Sequence, residues 1–116
     1  TISWQRSWMR VANKLRGMIS LAQKAGKIVS GETAVRAAIQ KGQAVMLLAE
    51  EGASANTKDT MNKLATAYAL PLLYVEDVGA AIGKPGRTML ALCDAGFSAA
   101  INKINDESKY GGVEVE

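Results

Sequence analysis

Apolar residues recur every three or four places through Trp4, Trp8, Val11, Leu15, Met18, Ile19 and Ala22, the spacing that gathers side chains on one face of an α-helix. The run predicts an amphipathic first helix. It should stop near Gly26, where glycine can adopt the left-handed conformation that closes a helix, with Lys24 beside the last carbonyls. The two tryptophans share the apolar stripe and so read as core residues rather than as a stacking platform.

Beyond Gly26 the periodicity shortens. Lys27-Ile28-Val29-Ser30 is β-prone, and Gly31 turns the chain into a second helix carrying Val35, Ala38 and Ile39 on one side, closed by Gly42. Ala44 to Ala49 is apolar without alternation, as expected of a strand covered on both faces, and Glu50-Glu51-Gly52 marks its exit. Ser54, Asn56 and Thr57 are candidate N-caps for a third helix with the stripe Met61, Leu64, Ala65 and Tyr68, ended by Pro71.

Leu72 to Val75 reads as a third strand. Asp77 is expected to cap a short helix, Val78 to Ile82, that leads into Gly83-Lys84-Pro85-Gly86-Arg87. Thr88 to Leu92 is a fourth strand, and Asp94 caps a last helix with Phe97, Ala100, Ile101 and Ile104 on its apolar side. Strands and helices thus alternate, which predicts an α/β fold with a mostly parallel sheet between helix layers.

With 116 residues the chain has room for one core, so residues 1–104 are expected to form a single domain. Residues 1–8, with no initiator methionine, read as a processed or appended lead-in, and 105–116 as a loose polar tail. The 48% hydrophobic and 22% charged fractions are those of a folding chain rather than a disordered one. Apolar runs such as Ala44 to Ala49 fall far short of the roughly 20 residues that span a bilayer, so no membrane partner is expected.

The residue inventory narrows the chemistry. There is no histidine, which removes Ser-His-Asp and Cys-His catalysis and the usual general base near neutral pH. Cys93 is the only cysteine, so an internal disulfide and a thiolate zinc site are both excluded. It reads as a small core residue in a reducing, cytoplasmic setting. Glu50-Glu51 and Glu76-Asp77 follow strands, where open α/β sheets hold ligands, but adjacent residues at a strand exit point apart and read as solvated turns. No catalytic residue, metal ligand or cofactor is therefore expected.

Charge is unevenly spread. Residues 1–41 hold eight Lys/Arg against one acid, Glu32, a net +7, whereas residues 42–116 hold six against ten acids, a net −4. A basic segment of this kind suits a polyanion, although a lysine-rich solvated face has the same signature. Gly83 to Arg87 lacks the spacing of a nucleotide-hydrolysing phosphate loop, but its glycines allow close approach to a phosphate that Lys84 and Arg87 can neutralise. At Ser30-Gly31-Glu32-Thr33 the free N–H groups of a helix start can hold a phosphate or a base acceptor. Glu32 either accepts from a base or complements the helix dipole.

Four ordered stretches, Leu21-Ala22-Gln23-Lys24-Ala25-Gly26-Lys27-Ile28-Val29-Ser30-Gly31-Glu32, Ser54-Ala55-Asn56-Thr57-Lys58, Ile82-Gly83-Lys84 and Asp94-Ala95-Gly96-Phe97, carry a resemblance over about Leu15 to Ile104. The chain resembles the bacterial YlxQ family of the kink-turn-binding ribosomal protein superfamily. The resemblance implies a three-layer α/β/α sandwich whose four-stranded mixed sheet has the order 1-4-2-3 with strand 4 antiparallel. In that arrangement Gly31-Glu32, Glu50-Glu51 and Gly83 to Arg87 meet at one edge, which in the superfamily holds the sheared G·A pairs and bend of a kink-turn.

The implied function is non-catalytic recognition of structured RNA, ribosomal RNA within that class, by a monomer associated with ribosomes or translation. Lys27, Ser30, Gly31, Glu32, Thr33 and Arg36 would act on one side and Gly83, Lys84, Gly86 and Arg87 on the other. A protein-docking adaptor of the same fold is the rival reading, and it requires an exposed apolar patch. One departure bears on specificity. The superfamily's kink-turn readers carry Gly-Thr-Asn-Glu, whereas Gly31 here precedes Glu32-Thr33-Ala34, which puts Thr33 and Ala34 at the asparagine and glutamate positions and Glu32 two places early. RNA binding carries over more directly than kink-turn specificity.

Overall fold

A computed structural model describes the backbone of residues 2–114 and the side chains of residues 13–106. Helix α1 (Ile2–Lys24) is followed by β1 (Ile28–Ser30), α2 (Glu32–Gln40), β2 (Met46–Glu50), α3 (Ala55–Ala67), β3 (Leu72–Val75), α4 (Val78–Ala81), β4 (Met89–Leu92) and α5 (Ala95–Glu114). The four strands form one sheet in the order β1-β4-β2-β3.

Strand β4 runs antiparallel to both β1 and β2, and β2 runs parallel to β3. The mostly parallel sheet expected from alternation is therefore corrected to a mixed one, as the family resemblance implies. The cause lies in α4, which has only four residues. It rises about 6 Å, about half the ~13 Å of a four-residue strand, so it does not return the chain to the far end. Instead β4 begins at the end where β3 stopped.

Two apolar layers sandwich the sheet. Met46 and Leu48 of β2 with Leu90 and Leu92 of β4 pack against Leu15, Ile19 and Ala22 of α1, Val78 of α4 and Ile101 of α5. On the other face Leu47, Ala49, Met89 and Ala91 meet Val35, Ala38 and Ile39 of α2 and Met61 and Ala65 of α3. The absence of alternation in β2 is explained: all of Met46 to Ala49 is buried, each side chain between two layers. Met46, Leu47 and Leu48 each contribute about 1.5–3 kcal/mol by leaving water.

Helix ends follow local chemistry. At Gly26, φ is 74°, and the Lys27 amide donates to the Ala22 carbonyl at 2.9 Å, closing α1 as a left-handed glycine cap. Ser54 is the N-cap of α3, its hydroxyl accepting from the Thr57 amide at 3.2 Å, and Asp94 caps α5 by accepting from the Phe97 amide at 2.9 Å. The polar segment from Asn105 continues α5 as helix to Glu114, and the lead-in from Ile2 is the first part of α1. The packing expected of Trp4, Trp8 and Val11 lies outside the described side chains. Among the described residues no helix is long and apolar enough to cross a membrane.

Candidate nucleic-acid interface

Because β1 and β2 both oppose β4, the ends of β1, β2 and β3 and the start of β4 lie along one edge. Ser30 pairs with Leu90, Ala49 with Met89, and Glu50 with Val75. Backbone hydrogen bonds carry the ladder past the strands: the Gly31 amide donates to the Met89 carbonyl at 2.9 Å and the Glu50 amide to that of Thr88 at 3.0 Å. The Gly31 turn, the Glu50-Glu51 exit and the Gly83–Arg87 loop thus converge.

Gly31 has φ 93° and ψ 150° and occupies the N-cap of α2, where no side chain caps the first amides. Residues with a Cβ avoid that backbone region. The α2 amides of Glu32, Thr33 and Ala34 precede the first intrahelical bond, which runs from Val35 to the Gly31 carbonyl at 2.9 Å, so they are available to an acceptor. Arg87 reaches across from the other segment. Its Nη1 donates to the Ser30 carbonyl at 3.2 Å and lies 2.5 Å from where a Gly31 Cβ would sit. A bare glycine is what lets the guanidinium lie against the turn. The rest of its donor fork serves the exposed side, since Arg87 is exposed.

The remaining expected residues divide by position. Glu32, Thr33, Arg36, Gly83, Lys84 and Gly86 are all exposed, and Ser30 is half-buried in the turn. Glu32 accepts from Arg36 Nε at 2.9 Å and forms an ion pair with its Nη2 at 2.9 Å, both side chains about half exposed at 53% and 45%. Such a pair contributes only about 0.3–0.5 kcal/mol, so a ligand can open it. Lys27 is not brought to this edge. It precedes β1 at the opposite end, where its carbonyl accepts from the Cys93 amide at 2.8 Å. Burial pushes the Cys93 thiol above its ordinary pKa, with the Lys27 charge pulling the other way.

Residue Glu50 plays a part that its sequence position did not reveal. Asp77 occupies the N-cap of α4 but its side chain caps nothing, and its backbone is left-handed at φ 59° and ψ 38°. Glu50 supplies the cap from β2: Oε2 accepts from the Asp77 amide and Oε1 from the Val78 amide, each at 3.1 Å. The expected Asp77 cap is corrected, because a left-handed residue turns its own side chain away from the helix start. A carboxylate directly ending a fully apolar strand was the available signal. Gly79 is a second such residue, since a Cβ there would lie 2.7 Å from the Lys84 carbonyl oxygen.

No family model matches the chain. Curated relatives include RNA-binding protein YlxQ of Bacillus subtilis (strain 168), 34% identical over 92 residues that cover 77% of this chain and 92% of the relative. RNA-binding protein YlxQ of Enterococcus faecium is 32% identical over 88 residues, covering 73% of this chain and 84% of that one. Among solved structures, a Bacillus halodurans C protein with unknown function matches with TM-score 0.75 at 31% identity, over 81% of this chain and 98% of its own. A Giardia lamblia 15.5kD RNA binding protein shares the fold with TM-score 0.66 at 10% identity, over 86% and 88% of the two chains.

Proposed function

The chain belongs to the YlxQ family, and from that premise and the edge geometry we propose that it is a non-catalytic RNA-binding protein. Its ligand is structured RNA of the kink-turn kind, met in association with ribosomes or translation by a cytoplasmic monomer. The observation that carries the reading is the Arg87 guanidinium donating to Ser30 across bare Gly31. A cation thereby lies beside the uncapped start of α2, a combination suited to a phosphate or a base acceptor at a sharp bend.

In this reading Lys84, Arg87 and Arg36 neutralise backbone phosphates, while Gly83 and Gly86 allow close approach. Ser30, Gly31 and Thr33 form the turn, and Glu32 leaves Arg36 to accept from a base amino or imino group. Lys27 stands outside the set because it lies at the other end of β1. Among the described residues no large exposed apolar patch supports the adaptor reading. Among the described residues the exposed large hydrophobics are Leu21 and Tyr68, one on α1 and one just after α3, in opposite layers.

Titrating a kink-turn RNA and a plain duplex at several salt concentrations tests the proposal. The kink-turn should bind more tightly, and if Arg36, Lys84 and Arg87 each meet a phosphate, log affinity should fall with log salt at a slope of about 2–3. Binding to neither RNA, or to both with one affinity and one slope, contradicts it.

A further inference from the structure

We infer that Glu50 is a positioning residue for the RNA edge, clamping both ends of the segment that carries Lys84 and Arg87. The inference rests on the reading of that edge as an RNA surface and concerns a residue that itself need not touch the ligand.

Glu50 is the last residue of β2, and its amide holds the Thr88 carbonyl at 3.0 Å, fixing the point where the loop enters β4. Its carboxylate holds the Asp77 and Val78 amides at 3.1 Å each, fixing the point where the loop leaves β3. Between these anchors the chain is drawn tight. The Lys84 amide donates to the Gly79 carbonyl at 2.8 Å and the Arg87 amide to that of Lys84 at 3.2 Å. A Cβ on Gly79 would stand 3.0 Å from both the nitrogen and the carbonyl oxygen of Arg87, so the loop packs directly on α4. Arg87 then reaches Ser30 at 3.2 Å. One carboxylate thus fixes α4, the loop that packs on it and the arginine that bridges to the Gly31 turn.

Its form suits the task. A carboxylate accepts through two oxygens, and bonds from N–H groups to an ionised acceptor are about twice as strong as neutral ones. It also holds Asp77 in a left-handed conformation that few non-glycine residues adopt. Glutamine keeps one acceptor and turns an amide group toward the second N–H, while alanine keeps none. Glu51, adjacent and exposed, bears the same charge and serves as the control.

Amide hydrogen exchange in the RNA-free protein, together with titration of the same kink-turn RNA, tests the inference. In Glu50→Gln the amides of Asp77, Val78, Lys84 and Arg87 should exchange at least about fivefold faster, with those of Leu48 and Leu90 unchanged. RNA affinity should fall by a similar factor at an unaltered salt slope, Glu50→Ala should go further in both, and Glu51→Gln should quicken none of the four amides. The inference is overturned if Glu50→Gln leaves those amides unchanged, or if they quicken while RNA affinity holds or rises. Should the unaltered protein bind neither RNA, the inference falls with the reading it rests on, and exchange alone then reports whether the clamp exists.

Discussion

Helices α2 and α4 both start at the same sheet edge, each just after a strand, yet their N-termini are finished in opposite ways. At α2 the cap is Gly31, with no side chain to satisfy the first amides. At α4 the corresponding amides are taken up by Glu50, a residue from another strand. The backbone chemistry is the same, and both ends carry the partial positive charge of a helix start. Accessibility therefore depends on one carboxylate, and an external anion or base acceptor can be taken at α2 while α4 serves to hold the loop.

The largest effect should come from destroying the open end. Gly31→Ala puts a Cβ into a backbone region that costs about 1–3 kcal/mol and displaces Arg87, so denaturant unfolding should show a loss of about 2 kcal/mol and RNA titration a larger loss of affinity than any other change at the edge. Opening the closed end comes next. Glu50→Ala leaves two amides without their acceptor and should lower unfolding free energy by about 1–3 kcal/mol.

Removing the bridge while leaving both ends intact should be milder. Arg87→Ala is expected to weaken RNA binding by about 1 kcal/mol, whereas Lys103→Ala on α5 does little; equal effects in a binding titration would point to diffuse electrostatics instead. The smallest change is Glu32→Ala. It breaks a surface pair with Arg36 that contributes about 0.3–0.5 kcal/mol, so stability barely moves, but selectivity for the kink-turn over the duplex should drop. If selectivity is unaffected, the turn is a phosphate cradle and not a reader of bases.

Much of this architecture is legible in the residues. The unbroken apolar run of β2 forecast burial on both faces, and Ser54 and Asp94 act as the caps their positions advertised. What escaped the pattern is long-range. Strand direction in β4 depends on how far α4 carries the chain, which periodicity does not encode. The Glu50 cap joins β2 to α4 across a large sequence separation, and Asp77 looked like the cap because local rules favour it. Lys27 lies close to Gly31 in sequence, but an extended β1 advances about 3.3 Å per residue and carries it to the other end of the sheet.

Amide chemical-shift mapping with a kink-turn RNA tests the asymmetry most directly. The account predicts the largest shifts at Glu32, Thr33 and Ala34 and at Lys84 to Arg87, with Asp77 and Val78 moving little because Glu50 already holds them. Shifts centred on Lys27 and Cys93 at the opposite edge, or spread evenly over the basic first helix, would contradict it.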